Sequence, residues 1–123
     1  MPNSDRPVFA AWDVVVVPFP YTDRLAEKRR PALVVSTRRL ERLGFVWVTM
    51  ITSAENERWS CDVAIRDVTR AGLPASSVVR PAKIACIEPA RVLRRAGTLD
   101  RETARLVAEQ IGGFLAASVR GMR

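Results

Sequence analysis

The side chains that this sequence lacks limit its possible chemistry. Its 123 residues include no histidine and only two cysteines, Cys61 and Cys86. A zinc site of cysteine and histidine ligands therefore cannot be built, nor can a cysteine–histidine nucleophilic pair. Both cysteines lie in apolar runs, and we expect reduced, buried thiols that act as small hydrophobic groups. Any hydrolytic or transfer reaction must then use carboxylates, hydroxyls and arginines.

Arginine is the most abundant of these groups. Twenty Lys and Arg against thirteen Asp and Glu give a net charge of +7, and only Lys28 and Lys83 are lysines. Guanidinium groups bind phosphate in a planar, bidentate manner, and a basic surface attracts polyanions. The charge balance favours a nucleic-acid partner, with a solvated arginine-rich surface as the alternative.

Length and composition describe an ordinary globular chain. A hydrophobic share of 48% and a charged share of 27% argue against disorder. No uncharged apolar run approaches the ~20 residues that cross a bilayer, and the N-terminus lacks a signal-peptide pattern. We expect a cytoplasmic protein without a membrane partner. Residues 1–11 are expected to be a flexible arm, and residues 12–123 a single domain.

The elements that would position chemical groups are mostly short strands. Runs rich in β-branched and aromatic residues predict six of them: Trp12–Val17, Ala32–Ser36, Phe45–Thr52, Cys61–Ile65, Ser77–Val79 and Lys83–Ile87. The highly charged residues 21–30 predict an exposed loop.

Near the C-terminus the apolar period changes from that of strands to that of a helix. Asp100 can cap a helix whose apolar face includes Ala104, Val107, Ile111, Phe114 and Leu115. Five or six short strands followed by one helix predict a mainly β fold, a barrel-like sheet with a helix across it.

Four segments, in this order, resemble PemK-like members of the MazF toxin family: Asp13–Asp23, Lys28–Ser36, Ile51–Ser53 and Ser77–Ile84. The resemblance extends over most of the chain, from about residue 13 to residue 115. It implies an SH3-like small β-barrel with a C-terminal helix, the MazF/PemK/CcdB-type plasmid maintenance toxin fold, usually as a homodimer.

The resemblance also implies a function. The chain would be the toxin of a type II toxin-antitoxin system, a metal-independent endoribonuclease without cofactors that cuts single-stranded mRNA at specific sequences and so inhibits translation and growth. Cleavage would use the RNA's own 2′-OH. A small antitoxin would restrain it, and we expect an acidic antitoxin because the toxin is strongly basic.

Carried over by position, the catalytic arginine is Arg30 and the catalytic hydroxyl is that of Thr52. The family's usual base is less clear, because this chain has no histidine and Ala82 stands where some members have an aspartate. Asp23 and Glu27 are the candidates, and Glu27 is closer in sequence to Arg30. We expect five further residues to bind substrate: Lys28, Arg29, Ser53, Arg80 and Trp59.

Two other functions fit the same strand pattern. One is a toxin of this fold that binds DNA gyrase without cutting RNA, and the other is a non-catalytic, SH3-like nucleic-acid-binding module. The pair Arg30 and Thr52 favours the enzyme. An Arg30→Lys variant distinguishes them, since an enzyme should lose most turnover and a binding module little affinity.

Overall fold

The computed structural model describes residues 9–19 and 28–122. Its strands are β1 (Asp13–Phe19), β2 (Lys28–Val34), β3 (Val46–Ser53), β4 (Val63–Ala64), β5 (Ser77–Ile87) and β6 (Arg94–Thr98). Its helices are the short α1 (Arg38–Glu41), a 3-10 turn (Pro89–Arg91) and the long C-terminal α2 (Arg101–Arg120).

The six described strands form one curled sheet in the order β4-β5-β3-β2-β1-β6. All of its recorded pairs are antiparallel. The predicted mainly β fold with a C-terminal helix is confirmed.

Both faces of the central strands are buried, which explains their nearly continuous apolar sequence. Leu33, Ile51 and Val79 lie on the face that packs against α2, here called the helix face. Ala32 and Val48 lie on the opposite face, where they meet Phe9 and other apolar side chains. Because side chains alternate along a strand, consecutive residues of β2 and of β3 pack into different cores, one on each face of the sheet.

Strand β2 begins earlier than the apolar pattern predicts. Lys28, Arg29 and Arg30, expected in a loop, pair with β1 opposite Phe19, Pro18 and Val17. Backbone pairing with β1 outweighs the unfavourable local charge, so Arg30 lies within a strand rather than at its start.

Two further strand predictions need correction. A single strand, β5, contains both Ser77–Val79 and Lys83–Ile87. It has a bulge of three extra residues, because Arg80 and Ile84 lie opposite the consecutive β3 residues Met50 and Thr49. Strand β6 was not predicted, because Arg94–Thr98 has no apolar alternation. It forms an edge of the sheet against β1, where polar residues are tolerated.

The C-terminal helix begins as predicted. The Asp100 side chain accepts a hydrogen bond from the backbone N–H of Thr103, which satisfies one of the free donors of the first turn. Thr103, Ala104 and Val107 are buried, but Phe114 and Leu115, on the predicted apolar face, are exposed.

The cysteines differ from expectation, and one residue of the expected arm is buried. Residues 1–8 of the expected arm lie outside the described residues, whereas Phe9 is buried in the core. Cys61 is partly exposed and Cys86 is exposed. Cys86 lies opposite Trp47, on a part of the helix face that remains open, since Trp47 is itself 45% exposed. Among the described residues, no helix is long and apolar enough to cross a membrane.

Candidate functional site

The sequence-predicted residues Arg30 and Thr52 lie on the adjacent strands β2 and β3. Ala32 in β2 lies opposite Met50 in β3, and Arg30 and Thr52 are each two residues from this last recorded pair, toward the same end of the two strands. Residues directly opposite each other share a face, as do residues two apart on one strand. Both side chains therefore lie on the face opposite the helix, at one end of the two strands.

The Thr52 hydroxyl has a partner that sequence reasoning missed. Its Oγ1 accepts a hydrogen bond of 2.6 Å from the Asn56 side-chain amide. Asn56 is in turn held by its backbone N–H, which donates to the Ser53 carbonyl. Since a hydroxyl can donate one hydrogen while it accepts another bond, Thr52 keeps its own hydrogen free for a substrate oxygen. The polar turn after β3 was the available signal.

Arg80 lies on the same face as Thr52, two residues along β5 from the residue opposite Thr52. Val78 is opposite Thr52 and Arg80 is opposite Met50, so Arg80 and Thr52 are diagonal neighbours, about 7–8 Å apart. The Arg80 side chain is only 10% exposed. Its Nε and Nη2 donate to the two carboxylate oxygens of Asp62 at 3.0 and 2.9 Å, and Nη2 also donates to the Glu57 carbonyl at 2.8 Å.

This bidentate pair favours the charged form of both groups. Burial alone would raise the pKa of Asp62, but hydrogen bonds from Arg80 and from the Trp59 backbone N–H outweigh it and lower that pKa. The carboxylate raises the pKa of Arg80. The guanidinium that the sequence suggested as a substrate ligand is thus already engaged within the chain, and it holds the segment between β3 and β4.

A buried hydroxyl secures the irregular part of β5. The fully buried Thr49 has its Oγ1 2.6 Å from the Arg80 carbonyl and 3.0 Å from that of Lys83. Arg80 directly precedes the three extra residues of β5 and Lys83 is the last of them, so the contact closes the bulge. Bulges near functional sites re-aim side chains in this way.

The remaining predicted residues are spread over both faces. Lys28 is two residues from Arg30 in β2 and therefore lies on the same face, whereas Arg29 lies on the helix face. Ser53 also points to the helix face, where its hydroxyl accepts a hydrogen bond from the Glu55 backbone N–H. Glu27 lies outside the described residues.

Arg29 contributes to a groove that the sequence did not reveal. The groove holds about 320 Å³ and is lined by Arg29, Arg30 and Arg94 with apolar residues that include Leu73 and Leu93. Arg94 reaches it because β6 pairs with β1, opposite Val16. The arginines of two strands distant in sequence thereby border one concave surface.

A second, apolar surface lies on the helix face. A groove of about 530 Å³ between the sheet and the distal half of α2 is lined by Trp47, Ile84, Ile111, Phe114 and Leu115, among others. Trp47 is 45% exposed, so it is not a core residue. Within residues 9–19 and 28–122, no three acidic or cysteine side chains gather to hold a metal ion.

Acid should weaken the Asp62–Arg80 pair. Because the pKa of Asp62 in the folded chain is below its ordinary value of 3.8, the pair stabilises the fold above that pH and loses this effect as pH falls through the folded pKa. We expect the difference in unfolding free energy between the wild type and Asp62→Asn to shrink from about pH 5 to about pH 3. Urea titrations across this range measure it, and a constant difference would contradict the assignment.

Comparison with known proteins places this geometry among recognised relatives. A family model described as PemK-like, MazF-like toxin of type II toxin-antitoxin system matches residues 10–115. No curated protein matches the sequence significantly.

Several solved structures share the fold. The chain is similar to MazE-MazF from Deinococcus radiodurans, with a TM-score of 0.67 and 22% identity over 95% of this chain and 99% of that one. Mycobacterium tuberculosis toxin MazF-mt6 gives 0.67 and 23% over 85% and 96%. An endoribonuclease in complex with its cognate antitoxin from Mycobacterial species gives 0.69 and 15% over 89% and 96%. At these identities the likeness establishes the fold.

Proposed function

This chain belongs to the PemK-like, MazF-like toxins of type II toxin-antitoxin systems, and we propose that it is a metal-independent, sequence-specific endoribonuclease that cleaves single-stranded mRNA. Inhibition of translation and growth follows from such cleavage. The main support is the placement of Arg30 and Thr52 at the same end of β2 and β3 and on one face. The N–H donors of the Arg30 guanidinium and the free hydroxyl hydrogen of Thr52 can then contact the same phosphate.

In the proposed reaction the RNA supplies its own nucleophile. A base takes the proton of the 2′-OH, the 2′-oxygen attacks phosphorus, and the P–O5′ bond breaks as the leaving 5′-oxygen takes up a proton. Negative charge accumulates on the phosphoryl oxygens as the new bond forms. Arg30 neutralises that charge with bidentate donors, and Thr52 donates to a non-bridging oxygen.

Glu27 remains the proposed base. Asp62, the carboxylate nearest to Arg80, is fully buried and accepts three hydrogen bonds, so it is a poor proton acceptor for a substrate hydroxyl. Glu27 directly precedes β2 and is three residues from Arg30 in sequence.

The direct test uses long single-stranded RNA with excess EDTA, followed by sequencing of the new ends. We expect cuts at a recurring short motif, ends that carry a cyclic phosphate and a 5′-OH, and no cuts with Arg30→Ala. Intact RNA after incubation with folded wild-type protein would reject the enzyme. Gyrase inhibition or RNA binding without cleavage would then become the readouts to pursue.

The arginine-lined groove should contribute affinity for the RNA backbone without selecting its sequence. Removing one phosphate-binding charge should lower the slope of log affinity against log salt by roughly 0.7 for a single strand. We expect Arg29→Gln and Arg94→Gln each to weaken binding of single-stranded RNA and to flatten that slope. Arg39→Gln, an exposed charge on α1, serves as the matched control, and equal slopes in all three variants would argue against a backbone path here.

We further propose that a second copy covers the apolar groove beside α2. Trp47, Ile84, Phe114 and Leu115 expose 42–66% of their surfaces, and an added Cβ at Gly112 would meet no atom within 4 Å, so another helix can approach closely. We expect a homodimer by light scattering and a monomer for Leu115→Glu. A monomeric wild type at working concentrations would contradict this assignment.

The proposed regulator is a cognate acidic antitoxin. Its negative charge would complement the +7 charge of the toxin and speed their association, and a disordered segment would fold on binding. Co-expression of the acidic antitoxin should restore growth. Growth arrest that persists despite a soluble complex would oppose this role.

A further inference from the structure

Hydrogen bonds and a cation–π contact hold the segment after Thr52 around the indole ring of Trp59. Trp59 lies between β3 and β4, and its backbone N–H donates to Asp62 at 2.9 Å while its carbonyl accepts from the Asp62 N–H at 3.0 Å. The Cζ of Arg80 lies over the ring, 4.2 Å from its centroid. Asp62 thus binds both the backbone of Trp59 and the Arg80 guanidinium that contacts the ring.

These contacts give the ring a fixed orientation without burying it. Trp59 remains 41% exposed, although Asp62 is fully buried and Arg80 nearly so. An exposed tryptophan normally samples several rotamers, whereas this one rests on a cation that is itself held by two carboxylate oxygens and the Glu57 carbonyl. A guanidinium on the negative face of an indole ring is an attractive contact.

We infer that Trp59 is a stacking platform for one nucleobase of the RNA and that Arg80 and Asp62 are positioning residues that act through it. The inference rests on the proposed RNA substrate. Exposed aromatic rings beside cations are the usual means of holding single strands. Lys83, whose Nζ lies 5.9 Å from the ring centroid, supplies a cation for the phosphate of the stacked nucleotide.

The platform is close to the cleavage residues. Arg80 is a diagonal neighbour of Thr52 on one face of the sheet, and Trp59 follows Thr52 by seven residues. A base stacked on Trp59 therefore belongs to a nucleotide near the scissile phosphate. Its contribution is to hold the strand, with little preference among bases because every base has a flat face.

Binding to two uncleavable probes tests the inference separately from catalysis. One is a labelled 2′-O-methyl oligoribonucleotide of mixed sequence, and the other is an abasic oligomer of the same length and charge. We expect Trp59→Ala to weaken binding of the first by about 5- to 140-fold and to leave the second unchanged. Trp59→Phe should retain most of the affinity because it keeps an aromatic face.

A second set of variants tests the positioning role of Arg80 and Asp62. Arg80→Lys and Asp62→Asn should each weaken binding of the base-bearing probe and have little added effect in a Trp59→Ala background, because residues that act as one unit are not additive. If Arg80→Lys weakens binding of the abasic probe or adds fully to Trp59→Ala, Arg80 contacts phosphate itself and the positioning role is wrong.

The outcomes also separate this inference from the proposed function. Equal binding of both probes by the wild type would overturn the platform even if RNA is cleaved. Selective binding of the base-bearing probe, lost in Trp59→Ala, would support the platform even if no cleavage were found.

Discussion

Replacing Arg30 by alanine should lower the rate of RNA cleavage by about 10²–10³-fold or more, the usual cost of removing one donor to a developing oxyanion. Arg30 combines a donor fork with a full charge, so its loss affects the transition state more than substrate binding. We expect kcat to fall much further than KM rises. Single-turnover cleavage of a short RNA that contains the mapped motif measures this split.

The controls separate chemistry from charge and folding. Arg30→Lys keeps the charge but loses the planar fork, so it should recover only part of the activity. Arg39→Ala removes one exposed arginine from α1, which follows β2 at the end remote from Arg30, and should keep nearly full activity. Equal effects of Arg30→Ala and Arg39→Ala would mean that only net charge matters and would remove Arg30 from the catalytic site.

Replacing Thr52 by valine should have the next largest effect, about 10²-fold on kcat. Valine preserves the β-branched shape, which suits the strand, and removes only the hydroxyl. The geometry predicts this loss because Asn56 already donates to Oγ1, which leaves the hydroxyl hydrogen for the substrate. Cleavage assays as for Arg30 measure it.

Two variants test that role of Thr52. Thr52→Ser keeps the hydroxyl and should retain most activity. Asn56→Ala leaves the hydroxyl free to rotate and should cost about fivefold, the worth of one neutral hydrogen bond. Full activity in Thr52→Val would show that the residue only ends a strand, and Glu27 and Arg30 would then have to account for catalysis alone.

Much of the fold could be predicted from the sequence because local patterns and tertiary packing agree there. The apolar runs of β1, β3 and the C-terminal part of β2 contribute buried side chains to both faces of the sheet. Asp100 caps α2 as its position in the sequence suggests. Pairing overrides local preference in Arg94–Thr98, which forms β6 because the edge of β1 offers hydrogen bonds to a polar segment.

For the candidate site, too, the sequence predicted some features and the tertiary structure decided others. The sequence determined that any chemistry must run without histidine. Resemblance to a family singled out Arg30, Thr52 and Arg80, and the polar surroundings of Trp59 in the sequence singled out that residue. The placement of Arg30 and Thr52 on one face depends on the register between β2 and β3, which no local signal contains. A shift of one residue would have placed the two side chains on different faces.

Arg80 illustrates what only the tertiary structure decided. By residue type it is a phosphate ligand as plausible as Arg30, and both precede a proline. Burial next to Asp62, a residue that sequence reasoning did not select, makes its guanidinium a support for Trp59 instead. Residue types thus determined which groups are present, whereas strand register and burial decided which charges are paired, because both depend on contacts between segments distant in sequence.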